Sequence, residues 1–229
     1  MKKTLLFSLC VFSLLITQSV FGQIHAGLTA GANFATISTD FGEAGHDGRV
    51  LLALGGAFEV GLSYRLSLRI EPMYLQKGAE THVTVLQEDV IHENSLDYLE
   101  IPILFTYSFA AAETLTPFLT VGPSIGFNLG ADFYTLLPGG IAGFTPTDIS
   151  DEIKPIDFGI VVGGGTRIHT GTGSFFIAGR YTWGLTNIFD DENESECCDF
   201  TGPVELNNRG LQILTGYTVP IGSNRSRSR

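Results

Sequence analysis

The chain has 229 residues, of which 44% are hydrophobic and only 16% are charged, a balance that is unusual for a water-soluble domain. Its 24 acidic residues against 13 basic ones give a net charge of −11, which disfavours nucleic acid as a partner. No segment after residue 22 has 18 uninterrupted apolar residues, so the sequence excludes a transmembrane helix. The length of the chain favours a single all-β domain.

The first 22 residues are typical of a cleavable secretory signal peptide. Two lysines precede an apolar run, and Gly22 supplies a small residue at the cleavage point. A lipoprotein signal at Cys10 would leave too short an apolar region, so we expect the mature chain to begin at Gln23. Losing Lys2 and Lys3 leaves 11 basic against 24 acidic residues, which makes the mature chain still more acidic.

Eight later segments alternate, with a period of two, between apolar residues and small or polar residues. This alternation predicts β-strands whose two faces meet different environments. Each segment is about as long as the 9 to 11 residues that cross a bilayer as a tilted strand. In chain order the predicted strands are residues 24–34, 52–62, 66–74, 99–109, 117–129, 156–168, 175–185 and 211–219.

The connections between these strands alternate in length. Tight turns are predicted near Ser63, Ala111 and Gly171, and long polar loops around Asp40, Glu88, Gly140 and Glu194. Short periplasmic turns and long external loops are typical of bacterial outer-membrane barrels. The sequence therefore predicts an all-β fold, an eight-stranded antiparallel up-and-down transmembrane β-barrel over residues 23–220, with a basic periplasmic tail at 221–229.

The alternation alone does not say which face points inward, because a soluble lipocalin-like barrel would turn its apolar face to the lumen. The second face is rich in glycine and poor in charge, whereas a water-exposed face would be rich in lysine and glutamate. Aromatic residues lie toward the strand ends of the apolar face, as two interfacial girdles require. We therefore expect the apolar face to contact lipid and the glycine-rich face to line a crowded interior.

Four stretches resemble the PorT-like outer-membrane β-barrel family. They are LDYLEIPILFTYSF from Leu96, RIEPMYLQKGAE from Arg69, TVGPSIGF from Thr120 and GRYTWGLTNI from Gly179. The similarity covers nearly the whole mature chain. It implies an eight-stranded barrel in the cell outer membrane, no shared enzymatic activity and, through the family's named member, an association with protein secretion.

Seven charged residues share the face that carries the glycines. They are Glu59, Arg69, Glu71, Glu100, Asp157, Arg167 and Arg180. Because an arginine facing lipid at the midplane costs about 2 to 4 kcal/mol, the alternation predicts that these charges point inward. We expect an interior salt-bridge network that fixes the barrel and blocks the lumen, the alternative being a proton or ion relay. Lys77 is expected at the rim, where its replacement should cost little.

Motifs that could indicate chemistry lack their structural context. Ser124 lies in a G-x-S-x-G pattern, but in the middle of a predicted strand with no helix following it. The five histidines are dispersed and form no ligand pair, and the acidic run 190–196 lacks the glycine of a calcium loop. Adjacent Cys197 and Cys198 are compatible with a strained vicinal disulfide, an intermolecular bond or free thiols. The sequence predicts no catalytic, cofactor-binding or metal-binding residue.

The function expected from the sequence is a structural, adhesive or adaptor role in the outer membrane. Eighteen of the 24 acidic residues fall in the four predicted external loops, so the outward surface should be negative. Outer-membrane lipid, and envelope or secretion proteins bound through the loops, are the expected partners of a monomer. The two alternatives are a narrow transport channel and a soluble lipocalin-like ligand-binding barrel.

Overall fold

The computed structural model describes most of the chain after the predicted signal peptide. The described residues are 23–39, 46–85, 88–109, 114–137, 141–142, 147–150, 153–188 and 206–222. The predicted signal peptide, the end of the basic tail, the acidic run 190–196 and both adjacent cysteines lie outside these ranges. No helix in the described part is long and apolar enough to cross a membrane.

Eleven strands account for nearly all of the described residues. In chain order they are β1 (Ile24–Thr39), β2 (His46–Gly61), β3 (Leu66–Ile70), β4 (Met73–Val85), β5 (Glu88–Ser108), β6 (Leu115–Leu137), β7 (Ile141–Ala142), β8 (Thr147–Asp148), β9 (Ile156–His169), β10 (Ser174–Gly184) and β11 (Leu206–Ile221).

The strands form one closed antiparallel ring. Each long strand pairs with its neighbour in sequence, and β1 pairs with β11 from Ile24–Ile221 to Thr39–Leu206, which closes the sheet on itself. Strands β3 and β4 follow one path between β2 and β5, while the short β7 and β8 pair only with the outer end of β6. The ring therefore has eight strands and confirms the predicted up-and-down barrel.

A break at Glu71 and Pro72 divides the third barrel strand into β3 and β4. Proline has no backbone N–H to donate to a ladder, so it interrupts regular pairing. The flanking groups still bond to both neighbours, since the Glu71 N–H donates to Pro102 O at 3.2 Å and the Gly56 N–H donates to Pro72 O at 2.9 Å. The barrel wall stays continuous across the break.

The strands are longer than the sequence predicted, mainly at the long-loop end. The loop predicted around Glu88 is wrong, because β4 and β5 continue as a paired hairpin as far as Val85 and Glu88. A bulge in β6 falls between Asn128 and Gly130, opposite Asp97 and Tyr98, and leaves Leu129 without a partner. An extra residue of this kind reverses the alternation of side chains beyond it.

The two faces of the wall are sharply different. Outward Leu54 is 53% exposed and outward Val162 is 55% exposed, whereas inward Ala53 and Thr29 are at most 1% exposed. The outward set is dominated by leucine, isoleucine, valine and aromatic residues, and an apolar belt of this extent on a monomer marks a lipid-contacting surface. The soluble barrel alternative required the opposite orientation of this face.

The two ends of the barrel also differ. One end of the barrel, here called the short-turn end, holds the turns 62–65 and 170–173, the end of β5, the start of β6, the start of β1 and the end of β11. Strands β1, β6 and β10 end at the other end, here called the long-loop end. This arrangement places the lumen between two rims of different construction.

Candidate functional site: the lumen

Glycines in the wall make room for large side chains in the lumen. Gly163 lies opposite Arg180 in the β9–β10 register, and a Cβ atom on Gly163 would be 2.5 Å from the Arg180 Cβ. A Cβ on Gly216 would likewise be 2.5 Å from the ring of Phe176. The glycine-rich face found in the sequence is therefore the surface against which the lumen side chains pack.

Five charged side chains form one continuous chain across the lumen. Arg167 donates to Glu59 at 2.7 Å, and Arg69 lies 3.9 Å from the same Glu59 carboxylate. Arg69 also pairs with Glu71, whose second oxygen lies 2.5 Å from Arg180. Because β9 and β10 lie across the barrel from β2 and β3, this chain ties opposite walls together.

A second group of three charges lies nearer the long-loop end. Lys77 on β4 contacts Glu100 at 2.8 Å and Asp157 at 3.2 Å, and Asn208 donates to Asp157 at 2.9 Å. The Lys77 ammonium also lies 4.6 Å from the centre of the Tyr98 ring. The prediction that Lys77 lies at the rim is wrong, because the residue is only 7% exposed and bridges two carboxylates.

The seven charges predicted for the interior are all on the inward face, and six of them are less than 9% exposed. Arg167 is partly buried, with 14% of its side chain exposed. Asp157 does not join the chain of arginines and glutamates; its carboxylate pairs with Lys77 instead. Simple alternation, continued past Glu71 through Met73 and Leu75, would have placed Lys77 inside as well.

The two groups together are electrically balanced. Three arginines and two glutamates give the chain of five a net charge of +1, and one lysine with two carboxylates gives the second group −1. Aromatic faces support the cations, since Arg69 lies 4.0 Å above the ring of Phe176 and Arg167 lies 5.6 Å from that of Phe118. Pairing each charge with an opposite one is what allows these groups to be held away from water.

An apolar cap closes the lumen at the long-loop end. Inward-facing Leu96, Tyr98 and Ala131 pack with Ile153 and Ile188, which come from the segments before β9 and after β10. Backbone hydrogen bonds hold both segments in place: the N–H of residue 154 donates to Ile188 O at 2.8 Å, and the N–H of residue 185 donates to O of residue 158 at 2.8 Å. The cap packs directly over the second group, since the Lys77 ammonium contacts the ring of Tyr98.

The middle of the lumen has almost no free volume. A cavity between the five-charge chain and the walls measures about 10 Å³, and Arg69, Glu71 and Arg180 contribute to its lining. That is room for about one water molecule. Side chains therefore fill the lumen at the level of the five-charge chain.

Among the described residues, the G-x-S-x-G pattern does not form the nucleophile elbow of a hydrolase. Ser124 is buried in the middle of β6, without the strand-to-helix turn that exposes a nucleophilic serine in hydrolases. No group of three or more histidine, cysteine, aspartate or glutamate side chains that could hold a metal ion is found there either.

Residues 17–190 match the family model described as outer membrane protein beta-barrel domain. The match covers well over half of the chain. This protein belongs to that family. The outward apolar belt thus faces outer-membrane lipid, and by the general architecture of bacterial outer-membrane barrels the short-turn end faces the periplasm.

Several solved outer-membrane barrels are similar to the chain in fold. Neisserial surface protein A matches 86% of the chain and 96% of its own length at 13% identity, with a TM-score of 0.48. Ail, the attachment invasion locus protein of Yersinia pestis, matches 86% of the chain and 99% of its own length at 9% identity, with a TM-score of 0.43. The outer membrane protease OmpT from Escherichia coli matches 90% of the chain and 99% of its own length at 9% identity, with a TM-score of 0.45. No curated protein sequence matches the chain.

Proposed function

We propose that this outer-membrane barrel is a closed anchor with a structural, adhesive or adaptor role, whose specificity lies in its external loops. The observation that supports this proposal is the obstruction of the lumen by eight paired charges and an apolar cap. A barrel that neither conducts nor catalyses acts through its rims, and long loops at one rim are where such barrels vary.

The obstruction argues against the alternative of a transport channel. A solute crossing the lumen would have to separate the Lys77 ion pairs and displace Ile153 and Ile188 from the cap. Eight strands enclose a space that side chains alone can fill, and here ion-paired side chains fill its middle.

The sequence suggests what the loops recognise. Eighteen of the 24 acidic residues belong to the four predicted external loops or to the strand extensions that replace parts of them, so a partner with a basic surface is favoured by charge. The resemblance to PorT-like barrels adds a role in protein secretion or envelope integrity. We propose envelope or secretion proteins as the partners, with the barrel present as a monomer and exported by a signal peptide that is cleaved before Gln23.

A conductance measurement tests the closed lumen. Purified, folded protein inserted in planar lipid bilayers should show no steady current steps of porin size, with a trimeric porin in the same bilayers as the positive control. Large, stable open channels would overturn the closed anchor and favour the transport function.

A loop exchange tests where the function lies. Residues 189–205 would be replaced by a short glycine–serine linker in a strain that lacks the chromosomal copy. We expect the variant to insert normally and yet to reproduce the secretion or detergent-sensitivity defect of the deletion strain. A linker variant that restored the wild-type phenotype fully would contradict a role for this loop.

A further inference from the structure

A second, much larger cavity opens at the short-turn end of the lumen. Its volume is about 560 Å³, and it is lined by the 170–173 turn together with His25, His169, Ser174 and Pro220. These four residues lie at strand ends on the inward face, so the cavity forms one side of the periplasmic mouth of the barrel, between the start of β1, the β9–β10 turn and the end of β11. It is open to solvent, since most of its lining residues are exposed.

The lining contains no carboxylate, in a chain with 24 acidic residues and a net charge of −11. Glu59 is opposite His25 in the β1–β2 register, but it does not line the cavity. Its carboxylate already accepts hydrogen bonds from Arg167 and Ser67, both at 2.7 Å. The mouth is therefore a local exception to the acidic character of the protein, with hydrogen-bond donors but no negative charge of its own.

His169 is held rigidly in this mouth by two hydroxyl groups. Its Nε2 atom lies 3.0 Å from Thr116 Oγ1, and its Nδ1 atom lies 3.0 Å from Ser174 Oγ. In the tautomer whose Nδ1–H donates to Ser174, the serine keeps its own proton to donate to a ligand. A protonated imidazole would donate to both hydroxyls and would free both of their protons. In the Nε2–H tautomer Ser174 instead donates to Nδ1, so a ligand that accepts the serine proton selects one of the first two states.

Further donors in the mouth have no protein acceptor. The ring of His25 makes no hydrogen bond with another described residue, and the N–H groups of Gly171 and Thr172 donate to no described backbone carbonyl. The turn that carries them is fixed, because Thr170 Oγ1 donates to Gly173 O at 2.8 Å and Thr172 Oγ1 lies 2.8 Å from the Tyr217 hydroxyl. The donors are thus held in position before any ligand arrives.

We propose that the periplasmic mouth binds a small soluble solute through a carboxylate or phosphate group. The oxyanion would accept hydrogen bonds from His25, Ser174 and the turn N–H groups, and the rest of the solute would occupy the remaining volume. This inference goes beyond the proposed anchor role and depends on it only in that the bound solute does not cross the membrane.

The test uses the full-length folded barrel in uncharged detergent, labelled with 15N at histidine. Inorganic phosphate and citrate are titrated separately while the imidazole resonances are recorded. We expect saturable shifts of two histidine resonances, and we expect His25→Asn or Ser174→Ala to weaken binding about tenfold, the effect of losing one hydrogen bond to a charged group. The matched control is His92→Asn in β5 at the long-loop end, which should leave the titration unchanged.

The migration of each unheated variant on a denaturing gel shows whether it is folded. Shifts that stay linear with both oxyanions in the folded wild-type barrel would overturn the proposal. So would equal binding by the folded His25→Asn and wild-type proteins. Saturation by Zn²⁺ together with no response to either oxyanion would identify a metal site instead and would also reject it.

Discussion

At the scale of single residues, the lumen is organised by charges whose partners lie on distant strands. Glu71 is shared by Arg69 and Arg180, so it keeps one cation if the other is removed. Lys77 is the one cation bound to Glu100 and Asp157 in the described structure. Removing Arg180 would therefore leave Glu71 with a cation, whereas removing Lys77 would leave two carboxylates without one.

Replacing Lys77 should consequently destabilise the barrel at least as much as replacing Arg180. Lys77→Met would leave two buried carboxylates without a cation, at a cost of about 3 to 5 kcal/mol, whereas Arg180→Leu leaves Glu71 paired with Arg69. Urea unfolding in detergent, followed by the fluorescence of the single Trp183, measures both. Half-buried Lys154 supplies the control substitution Lys154→Met. A smaller loss for Lys77→Met than for Arg180→Leu would contradict the pairing described above.

The space beside Arg180 gives a second prediction. Gly163→Ala would bring a methyl group against the Arg180 Cβ and should cost about 1 to 3 kcal/mol as overpacking. Gly179→Ala, on the neighbouring strand, is the matched control because nothing lies within 4 Å of a Cβ there. The same unfolding assay compares the two. Equal stability of the two variants would show that the lumen is packed less tightly than the structure indicates.

At the scale of strands, each β-strand separates lipid from the charged lumen by alternation alone. In β9, Asp157, Val161 and Arg167 point inward, while Val162 and Ile168 point outward. The outward side chains pack against lipid rather than against protein, so their tolerance to charge should depend on depth and not on neighbours.

We expect Val162→Arg to destabilise the barrel by about 2 to 4 kcal/mol, because Val162 lies mid-strand in the apolar belt. Ile168→Arg, next to the 170–173 turn, should cost about 1 kcal/mol or less, since the guanidinium can reach the interface. Reversible unfolding in lipid vesicles is the measurement. Equal costs at the two depths would mean that the apolar belt does not contact the hydrocarbon layer as described.

At the scale of the whole molecule, closure of the ring leaves no free edge among the eight barrel strands. Every strand pairs on both sides, and β1 with β11 completes the circuit through sixteen register pairs. A sheet without edges has no strand from which unzipping can begin, and the interior ion pairs join walls that the sheet itself does not join.

This closure predicts heat-modifiable migration. In sodium dodecyl sulfate without heating, the membrane-extracted protein should stay folded and migrate differently from the boiled sample. Identical migration before and after boiling, or recovery of the protein in the soluble periplasmic fraction, would contradict a closed barrel in the outer membrane.

The local features of this protein follow from the residues of each segment alone. A period of two is a property of each strand, so strand number, the lipid-facing side and the inward direction of Arg69, Glu71 and Arg180 could be read without knowing any partner. The break at Pro72 is likewise local. These predictions needed only the residues within one segment.

Which inward side chains contact one another depends on the tertiary structure. Partners across the lumen depend on the stagger of strands around the ring, which no single segment specifies, and so Asp157 met Lys77 instead of an arginine. Ile153 and Ile188 entered the cap from connections whose course is set by packing, and His25 and His169 line one cavity because the ring closes between β1 and β11. Alternation sets the direction of a side chain, but the closed sheet sets its neighbours.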